Sequence, residues 1–331
     1  MEVKLSIDQE FKSLNEVKLI KKRLEELKYL NIKNITTEKR NKPHPLGLNT
    51  VNMLKISSLY LNNSPNTTMN LAQNLYMGGY ITYPRTETTA YSPSFDFKSN
   101  LKYLNNYINT DNLEDYVYEN IDFINEGGID AGDHPPITPS KIPKKGKLNK
   151  KELELYDLIC DYYLASLSPD LEYENITYQF EIDNKIYKST CSIIEKEGFY
   201  KYFQSQEKNF IDENQILDKN EYYQILEVNY EEYKKDDYLT EAELIEEMEK
   251  NHIGTDASMS IHIENIVKRG YVEVDKENRR LIPTNLGRAL IEALEKVEPD
   301  IVLPKNRAKI EEFVSELAQG KKNIKMYLIM L

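Results

Sequence analysis

The stretch Gly78-Gly79-Tyr80-Ile81-Thr82-Tyr83-Pro84-Arg85-Thr86-Glu87-Thr88 decides how the rest of this 331-residue chain is read. Apolar residues at helical spacing (Met69, Ala72, Leu75, Tyr76) lead into two glycines, which suit the left-handed positions that close a helix. A short β-prone run follows, and Pro84, lacking an N–H, keeps it from being a central strand. Tyr83 is thereby placed on a constrained connector. A phenol with an ordinary pKa of about 10 is a poor nucleophile until cations lower it. Arg85, two residues on, shares the face of Tyr83 if the segment is extended, and its guanidinium can hold a phosphate with two parallel hydrogen bonds. A tyrosine followed by Xaa-Arg carries little by itself in a chain with 25 tyrosines, since most tyrosines are packing residues with a wet tip. The surrounding sequence has to decide.

The length allows two or three domains with proper cores. No run of 18 or more apolar residues and no signal peptide is found, so the sequence carries no expectation of a membrane span or of secretion. Cys160 and Cys191 have no metal-ligand spacing and read as small apolar residues of a reducing compartment. The net charge of −12 argues against nucleic acid as a partner, because phosphate contacts need Lys and Arg. The distribution qualifies this. Residues 1–150 hold 20 Lys and Arg against 17 Asp and Glu, and the remainder 23 against 38; Tyr83 lies in the basic part.

Taken in order, residues 12–31 have an amphipathic helical pattern (Phe11, Leu14, Val17, Ile20, Leu24, Leu27), and residues 32–41 alternate weakly and read as a strand, clearest from Ile32 to Thr37. Lys42-Pro43-His44-Pro45-Leu46-Gly47 is a linker and domain boundary. Asn49 or Thr50 can cap a helix over 51–61, and Thr67 or Thr68 the helix that leads to Tyr83. Residues 95–127 are mostly helical by pattern. Gly127 to Pro139 is a Gly/Pro-punctuated loop that can fix the position of His134. Lys141, Lys144, Lys145, Lys147, Lys150 and Lys151 form a basic run, either a solvated loop or a DNA-backbone contact. A helix over 151–167 closes this domain. Alternation in 178–182, 187–194 and 224–228 reads as antiparallel strands. From Leu239 the pattern is helical again: a Thr240 cap with Glu243 at the capping-box position, then Gly254-Thr255-Asp256-Ala257-Ser258, a helix from Ile261 to Arg269, and two short strands at 271–274 and 280–283. Helix, turn, helix and wing is a layout of DNA binders, which core packing alone could also produce.

Residues 71–93, from Leu71 through Tyr83-Pro84-Arg85-Thr86-Glu87-Thr88-Thr89 to Pro93, closely resemble the active-site segment of type IA DNA topoisomerases, in the form of the topoisomerase III branch. Pro45-Leu46-Gly47-Leu48-Asn49-Thr50, His134-Pro135-Pro136-Ile137-Thr138-Pro139, the Leu239–Ala257 region and the closing segment 305–321 resemble further hallmarks in the same order. The resemblance implies a partial type IA toroid: a multidomain α+β chain of mainly helical, winged-helix-like domains joined by an antiparallel β arch. The arch is expected from 1–42 and 168–230, the tyrosine-bearing helical domain from 43–167, and a helical DNA-binding domain from 231–331. It also implies that Tyr83 becomes joined to DNA through a 5′-phosphotyrosine, that Arg85 stabilises the phosphate, and that His134 faces it. Ser258 and Arg269 would contact the phosphates of single-stranded DNA. Thr255 stands where many bacterial relatives carry arginine, a form frequent in the topoisomerase III branch. A complete enzyme of this kind starts with a Toprim domain whose acids bind Mg²⁺; no Asp-x-Asp-x-Glu is found here. The expectation is a core fragment that binds DNA with little cleavage of its own, without metal ligands, the Mg²⁺ belonging to the Toprim domain. RNA is left open as a second ligand, and helicase and OB-fold proteins are expected partners. The expected compartment is the nucleus in a eukaryote and otherwise the cytoplasm. The alternative is a non-catalytic single-strand-binding module of the same fold.

Overall fold

A computed structural model describes residues 5–8, 11, 13–108, 124–132, 134–204, 210–230, 238–318 and 320–321. The chain divides into two compact units, Met1–Pro45 with Ser168–Lys235, and Leu46–Leu167 with Asp236–Leu331. It crosses between them at Pro45/Leu46, at Leu167/Ser168 and between 235 and 236.

The first unit is an antiparallel sheet of β1 (Tyr29–Lys42), β2 (Leu171–Ile182), β3 (Lys185–Lys196) and the short β4 (Tyr222–Gln224), in the order β3-β2-β1-β4, with helix α1 (Leu14–Leu27) beside it. The β2–β3 hairpin turns at Asp183 and Asn184, both left-handed, as a two-residue turn matched to strand twist requires. Buried residues alternate along β2, and Ile176, Tyr178, Phe180 and Ile182 pack with Leu30, Ile32, Tyr187, Cys191, Ile193 and Leu217. Burial pushes the Tyr178 hydroxyl up to about 12, and that oxygen accepts from the Leu217 N–H at 3.2 Å. β1 contains the strand read over residues 32–41 and begins three residues before it, at Tyr29. Its polar end pairs with β2 through Lys42↔Leu171, and cross-strand ion pairs such as Lys39–Glu195 at 2.6 Å line it.

The second unit holds α2 (Thr50–Leu61), α3 (Pro65–Met77), α4 (Phe97–Ile108), α5 (Lys150–Ser166), α6 (Glu241–Lys250), α7 (Met259–Lys268), a two-stranded ribbon of β5 (Val272–Val274) and β6 (Leu281–Pro283), α8 (Asn285–Val297) and α9 (Pro304–Ala318). The helical domains read from the sequence as 43–167 and 231–331 contribute 46–167 and 236–331 to this one unit, in which α2 packs on α6 and α3 on α7. Asn66 donates to Glu264 at 2.7 Å, and Asn62 to the Lys276 carbonyl at 2.8 Å. Thr240 and Glu243 form the expected capping box. An ion pair between half-buried Arg279 Nε and the buried Glu241 carboxylate, at 2.7 Å, ties the ribbon turn to α6. The cap of α3 is Ser64, with Pro65 at its first turn; Thr67, a candidate from the sequence, instead donates its N–H to Ser64 Oγ at 3.2 Å. The part of 95–127 that spans 109–123 lies outside the described residues. No helix among the described residues is long and apolar enough to cross a membrane.

Candidate active site

Tyr83 owes its position to the way α3 ends. Gly79, at φ +74°, lets the chain turn back on the helix: its N–H donates to the Tyr76 carbonyl at 2.8 Å, and the Tyr80 N–H to the Leu75 carbonyl at 2.9 Å. This pair of bonds is the Schellman closure. Gly78 is right-handed, not left-handed as its partner is. Its lack of a side chain serves packing, since a Cβ there would fall 2.6 Å from the Tyr80 ring.

The connector then lies against the His134 loop. Ile81 bridges Pro139 in antiparallel sense, the Thr82 N–H donates to the Thr138 carbonyl at 3.0 Å, and the Thr82 hydroxyl donates to Pro136 O at 3.0 Å while accepting from the Thr138 N–H at 2.9 Å. Beyond Pro84 a second staple takes over. The Thr50 hydroxyl donates to Pro84 O at 2.8 Å and accepts from the Thr86 N–H at 2.8 Å, and the Thr50 N–H donates to Thr86 O at 3.0 Å. The Thr86 hydroxyl in turn donates to the His134 carbonyl at 2.8 Å and accepts from the Thr88 N–H at 3.1 Å. Thr50 and Thr86 are fully buried. On the far side of the His134 loop, the Ile137 N–H donates to Leu48 O at 2.7 Å. A Cβ on Gly47 would meet Thr89 O at 2.6 Å, so that close approach requires glycine.

The result is an aromatic row at the surface. The Tyr83 ring meets the His134 imidazole edge-on at 4.6 Å and the Tyr76 ring at 5.1 Å. Tyr83 is half-buried and His134 exposed. Arg85, held between the two Thr50 hydrogen bonds, is half-buried, and its Nε is buried with no hydrogen-bond partner among the described residues. A buried guanidinium N–H without an acceptor is costly, and an incoming anionic oxygen would satisfy it.

Ser258 and Arg269 sit at opposite ends of α7. Ser258 precedes its first residue, its Oγ accepting from the Thr255 N–H at 2.9 Å. Arg269 follows its last residue and is exposed. Eleven residues at 1.5 Å each separate them by about 16 Å along the helix, so they cannot serve one phosphate. The preceding loop is held by Glu311 of α9, which accepts from the Gly254 N–H at 2.5 Å and pairs with Arg307 at 2.8 Å. Tyr76 and the threonine staples were not singled out as site residues from sequence. The only signal for the staples is the placement of Thr82 and Thr86 on either side of Tyr83-Pro84-Arg85.

Residues 2–328 match the family described as DNA topoisomerase. Human DNA topoisomerase 3-beta-1 is 37% identical over 294 residues, covering 88% of this chain and 34% of that protein. The chain belongs to the type IA DNA topoisomerases, in the topoisomerase III branch. Rice DNA topoisomerase 3-beta is 37% identical over 298 residues, with 88% and 34% covered, and Dictyostelium discoideum DNA topoisomerase 3 is 30% identical over 303 residues, with 86% and 34% covered. The chain thus spans about a third of the length of these topoisomerases. The structure of full-length topoisomerase I from Thermotoga maritima shares the fold, with a TM-score of 0.72 at 23% identity over 98% of this chain and 54% of that one. Type IA topoisomerases are generally Mg²⁺-dependent. Among the described residues no three His, Cys, Asp or Glu side chains converge to hold a metal ion.

Proposed function

We propose that this chain supplies the nucleophile and part of the strand-binding surface of an enzyme that breaks, passes and rejoins single-stranded DNA. The Tyr83 oxygen attacks the phosphorus of a phosphodiester and loses its proton. The bond to the 3′ oxygen breaks, and that oxygen leaves as a hydroxyl after gaining a proton. One phosphodiester is exchanged for another, so the reverse attack by the 3′ hydroxyl restores the strand without ATP. Arg85, with its unmatched Nε, neutralises charge on the phosphorane-like transition state, and His134, 4.6 Å from the phenol ring, adds to this. Ser258 and Arg269 hold phosphates further along the strand, which places α6, α7 and the β5–β6 ribbon in the role of a winged-helix-like DNA binder within a toroid joined by the β arch. The proton donor to the 3′ oxygen and the Mg²⁺ ligands belong, on this reading, to a Toprim domain within the part of the relatives' length that this chain does not span.

The observation that carries the reading is the edge-on pairing of a half-exposed Tyr83 with His134 at 4.6 Å, both on backbone stapled by buried threonines. The test is incubation of the 331-residue chain with labelled single-stranded DNA and Mg²⁺, followed by denaturation. DNA binding without covalent adduct is expected. Abundant adducts would refute the division of catalytic groups, and absence of binding would refute the strand-binding role.

A further inference from the structure

The lysine run is not used by the mechanism above, yet its placement is specific. Residues 141–151 contain six lysines and no acid, in a chain of net charge −12. The segment is not a loose excursion. At its start, the Ser140 N–H donates to Tyr80 O at 2.8 Å, the Asn100 amide donates to Pro139 O at 2.8 Å, and Lys141 Nζ stands over the Tyr80 ring at 5.6 Å. At its end, Asn149 and Glu152 form a capping box at the start of α5, and Asn74 of α3 donates to Glu152 at 3.2 Å. Both feet therefore rest on the segment that presents Tyr83. Between them, the Lys147 N–H donates to Lys144 O at 3.0 Å, with Gly146 at φ +78°. This is a tight turn whose third residue must be left-handed, and it puts Lys144, Lys145 and Lys147 at its tip.

Among the described residues, the neighbouring acids do not neutralise this turn. Glu152 is spent on the cap and on Asn74. Glu154 meets only Lys150, at 3.7 Å with the lysine 89% exposed, a pair of little worth. Asp157 accepts from Tyr107 at 2.6 Å. Lys144, Lys145, Lys147 and Lys151 are exposed and form no ion pair among the described residues. The turn lies at the Tyr80 end of the connector, His134 at the Tyr83 end.

We propose that the turn Lys144–Lys147, with Lys141, Lys150 and Lys151, is a phosphate clamp for the single strand on which Tyr83 acts, gripping nucleotides on the side away from His134. This rests on the DNA reading of Tyr83 but can fail independently of it. Tyr76, 38% exposed beside Tyr83, offers a stacking face between the two grips.

The experiment is fluorescence anisotropy of a labelled oligothymidylate with the 331-residue chain over a KCl series. The proteins are wild type, Lys144→Ala/Lys145→Ala/Lys147→Ala, the matching triple arginine variant, and Arg269→Ala. Each lost contact to a single strand removes about 0.7 from the salt slope. The triple alanine variant should lose about 2 in slope and up to about a hundredfold in affinity at 0.1 M salt. The arginine variant should bind as wild type does, and the melting temperature of all should be unchanged, since these side chains are exposed. Unaltered slope and affinity in the triple alanine variant, while Arg269→Ala weakens binding, would overturn the clamp and leave the DNA reading standing. Failure of the wild-type chain to bind would overturn both.

Discussion

Replacing Thr50 by valine tests whether the site is built from the outside by buried threonines. The shape of the side chain is nearly kept, so no cavity term arises, but two hydrogen bonds of 2.8 Å disappear. The Thr86 N–H and the Pro84 carbonyl are then left without that partner in a place where Thr50 and Thr86 have no exposure to water. Each buried group left unmatched costs about 1–3 kcal/mol, so the expected loss is about 3 kcal/mol. For a unit of roughly 200 residues, each kcal/mol lowers the melting temperature by about 2–4 °C, giving a fall of about 6–12 °C by far-ultraviolet circular dichroism. Thr50→Ser keeps the hydroxyl and should cost under about 1.5 kcal/mol. Because Thr50 grips the backbone on both sides of Arg85, the valine variant should also weaken single-strand binding although it touches no DNA. A valine variant as stable as the serine variant, with unaltered binding, would refute the idea that these staples position Arg85.

The glycine that closes α3 gives a second expectation. Gly79→Ala introduces a left-handed alanine into open space and should cost about 1–2 kcal/mol, whereas Gly198→Ala, whose Cβ would fall 2.2 Å from Asp170 O, should cost clearly more in the same urea titration. A third concerns acid. Burial raises the Asp170 carboxyl, but hydrogen bonds from the His44 side chain and N–H and from Asn41 outweigh it, so its pKa is held below the usual carboxylate value. Its stabilising contribution is complete above its unfolded pKa of about 3.9 and is lost as pH falls through the lower folded value. The stability gap between wild type and Asp170→Asn should therefore narrow below pH about 4, and a gap constant with pH would contradict this. A fourth concerns the ion pair under the ribbon: Arg279→Met leaves Glu241 buried and uncompensated and should cost about 3–5 kcal/mol, while Arg307→Met, at a half-exposed pair, should cost under about 1 kcal/mol.

Local chemistry was legible where it was written in neighbouring residues. The apolar spacing of α3, the glycines after it, the proline that breaks the connector and the Thr240/Glu243 cap all act within a few positions. The pairing of Tyr83 with His134 came from resemblance, because 51 positions separate them and nothing in either segment names the other. The threonine staples were illegible for the same reason: Thr50 acts on Thr86, and Thr86 on His134, across distances that no periodicity records. The strand over 32–41 was legible only as weak alternation, because Glu38 to Lys42 lack a clear apolar face. These residues become strand through backbone pairing with β2 and cross-strand charges rather than through a buried face. The cap of α3 was misplaced by a few residues because Ser64, Thr67 and Thr68 are all competent acceptors, and Pro65 at the first turn selects Ser64.

The central claim is that the Tyr83 hydroxyl takes over a DNA backbone linkage. The most direct measurement is peptide mapping by mass spectrometry after this chain, joined to the Toprim domain of a topoisomerase III relative, is trapped on single-stranded DNA with Mg²⁺ and digested with trypsin and nuclease. A nucleotide phosphate on Tyr83, within the peptide from Ile56 to Arg85, and no trapped DNA with Tyr83→Phe, is the expected result. Nucleotide found on another residue, or trapping undiminished in the phenylalanine variant, would contradict it.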